Sequence, residues 1–457
     1  MNCLHTTVAA FFLLGGLVLP AQGGPPTDGA LRDSSDVTVV MDRAGAPDEG
    51  EADDASDPAA TSAQEDEPSL SVSVGGSLRF NTLFRAYNTP FEEVNDRILR
   101  DGGFTFDTFR IGAGGSYGGL IFDTEYAVYP ESFGGLFIHH GWVGYKFSDR
   151  RQFQVGVSQV PFGIQPYASS SWFFNGTYYV GLEDDYDAGI KALFTLGNWE
   201  LQGAYYMNAE QTDFFAGSDF SRYSYDVAPV SSARYQVVPG GNDLRSDLSE
   251  RHQFNLKVAY TVDHGALGST NLGVSAQAGQ LLNQSVGRSG EHGAVAVHLH
   301  GRYGGFEAKL QVARQEFDPP LTDAEMRAFA AQSGVEYAAD EFVVMGAYAF
   351  PQRVASEHTV YSSSLAYHLP VELGPVSEFK PYYDFSAVTK SVDGWNDNVT
   401  HNIGVLVSAG PLFVYTDLNV SKGHPFNHPA DGFASVMAEN SDNTWRTAFN
   451  MNIGLYF

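Results

Sequence analysis

Cysteine is nearly absent from this sequence of 457 residues, in which the one cysteine is Cys3. It precedes an apolar run of twelve residues, 8–19, which is followed by Pro20. Such a run has the length of a secretory signal and is too short to cross a bilayer as a helix, which takes roughly 20 residues. We expect residues 1–23 to be a signal peptide, with a buried helix as the alternative. Loss of Cys3 with the signal would exclude disulfides and thiol chemistry from the exported chain.

Basic residues are also scarce, because 26 lysines and arginines stand against 54 aspartates and glutamates, for a formal net charge of −28. This acidic balance argues against a nucleic-acid partner. Residues 24–68 hold thirteen of the acids, two arginines and no aromatic residue. Such a segment cannot bury enough apolar surface to offset its ordering entropy. We expect an acidic disordered linker, either a plain spacer or a tether for a cation or a partner.

The remainder, residues 69–457, has a net charge of −17 once the linker's −11 is removed from −28, and its main feature is alternation of apolar and polar residues. This is the period of a β-strand. In the last segment the aromatic residues share one face and the polar residues the other: Trp445, Phe449 and Phe457 against Arg446, Asn450 and Asn452. A soluble sandwich would carry more charge on its polar face. The pattern predicts an all-β fold, a transmembrane antiparallel β-barrel that closes so that every backbone polar group is paired.

Sixteen segments have this period. They are residues 69–87, 102–114, 118–129, 136–147, 150–159, 187–196, 198–208, 250–263, 269–282, 292–303, 305–316, 356–369, 374–390, 400–409, 411–422 and 444–457. Glycines at 115 and 118, at 304–305 and at 410 predict short turns. Residues 341–350 resemble a seventeenth strand, but a bacterial barrel has an even number. We therefore interpret 317–355 as one long loop with its own structure, and 18 strands remain the alternative. Inside this loop we expect a short helix that begins at a capping box of Thr322 and Glu325 and that Gly334 can close.

The final residue, Phe457, ends an alternating strand. This resembles the C-terminal signature of bacterial outer-membrane proteins. We therefore expect the chain to reside in the outer membrane of a Gram-negative bacterium, in contact with lipid and lipopolysaccharide.

Three stretches are distinctive: residues 141–147 (GWVGYKF), 159–163 (QVPFG) and 181–189 (GLEDDYDAG). They resemble the phosphate-selective porin O/P family, well over about residues 100–210 and more loosely over the last hundred. The resemblance implies a passive channel, with a homotrimer as one assembly. It also implies that the third external loop, residues 160–186, folds into the lumen. The alternative is that the aromatic residues of this loop pack at a trimer interface outside the barrel.

By strand parity, twelve basic side chains point inward: Arg79, Arg85, Arg110, Lys146, Lys191, Arg251, Lys257, Arg302, Lys309, Lys380, Lys390 and Arg446. Seven acids do the same: Asp123, Glu125, Asp187, Glu200, Glu307, Asp384 and Asp417. We select as pore-lining or constriction residues Arg79, Arg110, Lys146, Glu183, Asp184, Asp185, Asp187, Lys191 and Arg446. We expect the acids of 183–185 to lie near Arg110 and Lys146. Basic side chains outnumber acidic ones on the inward face of the wall, whereas the acids of 183–185 would repel anions. The sequence therefore leaves two alternatives, a pore that favours anions and a lumen whose charges only keep it hydrated.

These features favour a porin through which small polar solutes or ions diffuse. The alternatives are a barrel enzyme of the phospholipase or protease type and a channel specific for phosphate or a carbohydrate. Residues 183–187 resemble part of a calcium loop without the EF-hand arrangement, and His298 and His300 share a face without a third ligand. We assign no catalytic residue, cofactor or metal ligand.

Overall fold

The computed structural model describes residues 69–85, 103–130, 135–210, 223–228, 248–333, 338, 340–348, 350–428, 435–439 and 443–457. The expected signal peptide and acidic linker, residues 1–68, lie outside the described residues.

The described chain is built almost entirely from β-strands. They are β1 (Leu70–Arg85), β2 (Phe104–Tyr117), β3 (Leu120–Val128), β4 (Leu136–Ser148), β5 (Arg151–Gln159), β6 (Tyr186–Leu196), β7 (Trp199–Ala209), β8 (Asp226–Val227), β9 (Leu248–Asp263), β10 (Ser269–Asn283), β11 (Arg288–Tyr303), β12 (Phe306–Asp318), β13 (Phe342–Ala347), β14 (Phe350–Ala355), β15 (Glu357–Tyr367), β16 (Leu369–Leu373), β17 (Val376–Lys390), β18 (Asn398–Ala409), β19 (Leu412–Lys422) and β20 (Arg446–Tyr456).

One large antiparallel sheet forms the wall of a closed barrel. Consecutive wall strands pair with one another, and β1 pairs with β20 from Ser77↔Tyr456 to Arg85↔Ala448. β15 and β16 both pair with β17 and form one wall strand with a break between them, so the ring has sixteen strands. Closure removes every free sheet edge, which is what a β-structure in lipid requires. The predicted sixteen strands are confirmed, and each predicted segment matches its wall strand to within four residues at either end.

Short and long connections alternate around the ring. Five of the short turns begin with a glycine at positive φ, where other residues are strained: Gly118, Gly197, Gly304, Gly374 and Gly410, at +58° to +61°. The predicted turns at 304–305 and 410–411 are therefore confirmed. Gly115 was expected to mark a turn but lies inside β2, because that strand continues in register with β1 as far as Tyr117.

The two faces of the wall differ as the alternation predicts. On β9, Phe254 and Leu256 are 61% and 54% exposed on the outside, whereas Asn255 and Lys257 are each 5% exposed within. At the end of the chain, Trp445, Phe449 and Phe457 are outward and exposed, whereas Asn450 and Asn452 are buried within. The predicted register of the last strand is therefore confirmed. Arg446, the first residue of β20, lies on the same side of the strand as the inward residues Asn450 and Asn452.

We expect an arginine on the apolar outer face to destabilise the barrel. Leu256→Arg in the middle of β9 should lower the free energy of unfolding in lipid vesicles by about 2–4 kcal/mol, because the charge would lie near the bilayer midplane. Leu267→Arg is the control, since this exposed leucine lies in the turn between β9 and β10. Urea titration in vesicles would measure both, and equal losses would contradict the assignment of the outer face.

Several elements do not belong to the ring of wall strands. The predicted loop 317–355 contains helix α2 (Asp323–Ser333) and the strands β13 and β14, so the reading of this region as a structured loop is confirmed. The capping box is present, because Thr322 Oγ1 accepts from the Glu325 N–H at 3.2 Å and Glu325 Oε2 accepts from the Thr322 N–H at 2.7 Å. Gly334, expected to end the helix, lies outside the described residues. Strands β8, β13 and β14 form a separate three-stranded sheet, here called the inner sheet.

Candidate pore constriction

The third long connection, residues 160–185, leaves the wall after β5 and turns into the lumen. Its first backbone groups bind strands on another part of the ring. The Gly163 N–H donates to Ser275 Oγ at 3.0 Å on β10, and the Ile164 N–H donates to Gln311 Oε1 at 2.8 Å on β12. Gly163 has a φ of +55°, and a Cβ on it would approach the Gln311 side chain to 2.3 Å. The positive φ favours glycine at the point where the loop enters, and a larger residue there would also displace the Gln311 amide that binds the Ile164 N–H.

Carboxylates of the opposite wall hold the next part of the loop. The Ser170 and Ser171 N–H groups donate to Asp384 Oδ2 on β17, at 2.9 and 2.7 Å. The Trp172 N–H donates to Asp417 Oδ2 on β19 at 3.2 Å. Hydrogen bonds to a charged acceptor contribute about 1.5–3 kcal/mol each. The loop therefore crosses from β5 to β19 inside the barrel, which confirms the predicted inward fold and excludes the alternative of a loop lying outside.

The inner sheet packs on the lumen side of the loop, beside its short helix α1 (Gly176–Tyr179). Tyr178 and Tyr348 join their hydroxyls at 2.9 Å, and Gln352 Nε2 donates to the Tyr179 carbonyl at 2.7 Å. Gly181 has a φ of +74°, and a Cβ on it would meet the Tyr225 carbonyl at 2.2 Å. The loop therefore lies between the wall and this sheet, and its aromatic side chains are packed inside the barrel.

Two arginines of the wall form a basic site in β1 and β2. Arg110 is 1% exposed. It forms an ion pair with Glu125 at 3.3 Å and donates to the hydroxyls of Tyr129 at 2.9 Å and Tyr223 at 3.4 Å. Arg79 donates to the same Tyr129 hydroxyl at 3.3 Å. The shared phenol holds the two guanidinium groups side by side.

The loop meets this basic site through aromatic side chains. The Tyr223 hydroxyl, which accepts from Arg110, donates to Asp184 Oδ2 at 2.5 Å. The Arg79 guanidinium lies 4.8 Å from the centre of the Trp172 ring, within the range of a cation–π contact. Asp184 is thus linked to Arg110 by one phenol. Sequence reasoning missed Tyr223, because it lies in the long connection between β7 and β9, where no periodic pattern locates a residue.

The three consecutive acids of the loop separate. Glu183 accepts from Thr177 Oγ1 at 2.5 Å, and burial raises the pKa of its carboxyl to about 7, despite this hydrogen bond and the nearby charge of Lys309. Asp184 faces Tyr223, and Asp185 faces a different group of acids. The three acidic side chains therefore point to three different partners and do not form one acidic group.

The expected approach of Lys146 to these acids is wrong. Lys146 is two residues from the end of β4, at the end of the barrel that has the short turns. Its ammonium forms an ion pair with Asp149 at 2.9 Å, and its side chain is 46% exposed. The cause is strand direction, because β4 starts at the end where the third loop enters and carries Lys146 away from it. Parity placed this residue on a face but gave no depth along the barrel.

A group of four lysines lies on the wall below the third loop. They are Lys191 on β6, Lys257 on β9, Lys309 on β12 and Lys380 on β17. Lys309 Nζ donates to the Tyr167 and Ser169 carbonyls at 2.9 and 3.0 Å. Lys257 Nζ donates to Gln165 Oε1 at 3.0 Å. Parity pointed all four lysines inward, and the path of the loop brings Lys257 and Lys309 into contact with it.

Among the residues that the structure describes, two groups of side chains have the composition of a metal site. Glu125, His139 and His140 place one ligand atom each within 4.8 Å of the others, but the guanidinium of Arg110 binds Glu125 and disfavours a second cation there. The other group is formed by Asp185, Asp187 and Asp226.

A scan against protein families finds no match for this chain, and neither does a search of curated protein sequences. By structure it is similar to the outer-membrane channel DcaP of Acinetobacter baumannii, with a TM-score of 0.51 at 10% identity over 85% of this chain and 97% of that one. An anion-selective porin from Comamonas acidovorans gives 0.49 at 14% identity over 85% and 100%. OmpT of Vibrio cholerae gives 0.45 at 13% identity over 85% and 98%. At such identities, the likeness to DcaP shows the fold alone.

The closed ring, its apolar outer face and this fold place the chain in the outer membrane of a Gram-negative bacterium, as the sequence predicts. Among the described residues, no helix is long and apolar enough to span a membrane.

Proposed function

We propose that the protein is a passive channel for small hydrophilic solutes, with a preference for anions. The observation that supports it most is the group of four lysines, Lys191, Lys257, Lys309 and Lys380, on the lumen wall just below the loop that narrows the passage. A solute that passes the loop must cross the field of these charges. Rings of charged side chains set the ion selectivity of water-filled pores.

The acids near this group do not cancel its charge. Glu307 already binds Lys380 at 2.8 Å and Arg302 at 3.4 Å, and Glu200 binds Lys257 at 3.3 Å. Lys309, in contrast, donates to neutral backbone carbonyls of the loop. Lys309 also lies in the field of Asp384 and of Glu183, whose carboxyl is only partly ionised at neutral pH because burial raises its pKa to about 7. Four lysines against Glu307, Glu200 and Asp384 leave a local excess of positive charge although the whole chain is acidic. It favours chloride or phosphate over a cation of similar size.

The finer proposals are phosphate as the solute and a homotrimer as the assembly. Both rest on the sequence resemblance to phosphate-selective porins in residues 141–147, 159–163 and 181–189. Competition of phosphate with chloride current in the same channels would test the first. Cross-linking in native membranes would test the second.

Reversal potentials in asymmetric KCl test the anion preference. We expect the wild type to favour chloride, and a variant with Lys257, Lys309 and Lys380 each changed to Gln to lose that preference. Lys146→Gln is the matched control, because this lysine lies at a turn and pairs with Asp149. Current without anion preference in the wild type would refute the charge argument and leave the channel, whereas absence of current would refute the channel. The enzyme alternative predicts hydrolysis of lipid or peptide by the same vesicles.

A further inference from the structure

Three aspartates from two segments of the chain meet beside the inner sheet. Asp185 is the last residue of the third loop, Asp187 is the second residue of the wall strand β6, and Asp226 belongs to β8. One carboxylate oxygen of each lies within 4.8 Å of the other two. The residues are 7%, 1% and 1% exposed, respectively. Three carboxylates so close together and so deeply buried repel one another strongly unless a cation or protons neutralise them.

Two more carboxylates approach the same place. Glu210 Oε1 accepts from the Ser224 N–H at 2.7 Å, and Glu250 Oε1 accepts from the Val227 N–H at 3.0 Å. Both hydrogen bonds hold the segment 223–228, which includes Asp226. Burial raises the pKa of the Asp226 carboxyl well above its usual range, and Glu210 raises it further. Glu210 and Glu250 thus bind the backbone of the segment 223–228, and this places the Asp226 carboxylate among the other acids.

A second observation points to a ligand rather than to proton sharing alone. Oδ1 of Asp185 is fully buried and accepts no hydrogen bond from any residue that the structure describes. Beside it in the group, Asp187 Oδ2 accepts from Gln253 Nε2 at 3.0 Å. The carbonyl oxygen of that same Gln253 amide is also buried without a donor among the described residues. Two such oxygens cost free energy in a protein interior and are offset when they coordinate a cation.

We propose that Asp185, Asp187 and Asp226 bind one Ca²⁺ ion, with the Gln253 carbonyl as a fourth oxygen once its amide rotates, because Nε2 of that amide now faces Asp187. Carboxylate and amide oxygens are the ligands that hard divalent cations prefer, whereas zinc and copper favour nitrogen and sulfur. Ca²⁺ accepts six to eight oxygens in flexible geometry, which suits donors from three independent segments, whereas Mg²⁺ demands a near-ideal octahedron. The ion joins the end of the third loop to the inner sheet and fixes the loop in the lumen.

This site does not depend on the proposed anion preference, since none of its proposed ligands is among the residues on which that preference rests. Its test uses the full chain in detergent micelles and Tb³⁺ as a luminescent substitute for Ca²⁺. Tyr186 lies between Asp185 and Asp187 in the chain, and its ring contacts the ring of Tyr223. Both rings would therefore transfer excitation energy to the bound Tb³⁺. We expect one saturable class of Tb³⁺ luminescence that Ca²⁺ displaces at lower concentration than Mg²⁺. Asp185→Asn and Asp226→Asn should each weaken it at least about tenfold.

Asp149→Asn is the matched control, because this acid is exposed at the β4–β5 turn and belongs to no cluster of acids. Residues 24–68 are present in every variant, so binding to that acidic segment is common to all and cancels in the comparison. Luminescence that is equal in the control and in both aspartate variants would overturn the proposal.

Discussion

A chain that lacks residues 168–180 should conduct severalfold more current per open channel than the wild type. This segment contains the two serines that Asp384 binds, the helix α1 and the aromatic residues that pack against the inner sheet. Its removal would open the passage between the basic site at Arg110 and the opposite wall. Sixteen strands enclose an aqueous lumen wide enough for small solutes once nothing fills it.

Single-channel recording in planar bilayers would measure this effect. A two-residue shortening of the connection 284–287 is the control, because this external turn is exposed and contacts neither the third loop nor the inner sheet in the described chain. We expect its conductance to equal that of the wild type. If the deletion of 168–180 leaves conductance unchanged, the narrowest point is set by β13 and β14 instead of by the third loop.

Arg110→Met should lower the free energy of unfolding by about 3–5 kcal/mol, because it leaves the buried carboxylate of Glu125 without its ion-pair partner. The guanidinium also donates to Tyr129 and Tyr223, so the substitution removes a link between the wall and the long connection after β7. A methionine fills similar volume, and the loss would therefore report charge and hydrogen bonding more than packing.

The matched control is Arg302→Met. The Arg302 side chain is 68% exposed, and its partner Glu307 keeps contacts with Lys380 and His300. An exposed ion pair contributes about 0–1 kcal/mol, so this variant should unfold almost as the wild type does. Urea titration in lipid vesicles, followed by tryptophan fluorescence, would compare them. Similar losses in both variants would contradict the structural role assigned to Arg110.

The wall of this fold could be predicted from the sequence because alternation has a period of two and each strand buries one face only. β20 illustrates this, since Asn450 and Asn452 alternate with Phe449 and the register follows at once. The parity of the barrel also predicted that residues 341–350 stay out of the ring. Both predictions use a local pattern, the alternation, together with one topological rule, the even number of strands, and the folded chain follows both.

The constriction could be predicted only in outline. Alternation assigns a face but not a height, so it could not place Lys146 at a short turn. It also treats Glu183, Asp184 and Asp185 as one acidic group, whereas an irregular backbone sends each side chain to a different partner. Tyr223 contacts Arg110 from 113 positions away in the chain. Such contacts depend on loop conformation, which hydrophobic periodicity does not encode.

The pairing of β1 with β20 has a consequence for how the barrel assembles. Every other wall pairing joins wall strands that are consecutive along the chain, and each can form as a hairpin or by addition of the next strand. The pair Ser77↔Tyr456 joins residues from the first and last wall strands, so its closure carries the largest loop entropy of the ring. Until it forms, the growing sheet has two free edges that can pair with other chains. We therefore expect closure of this seam to be the slow step of folding, and the nearly complete open sheet to be the species most in need of a chaperone.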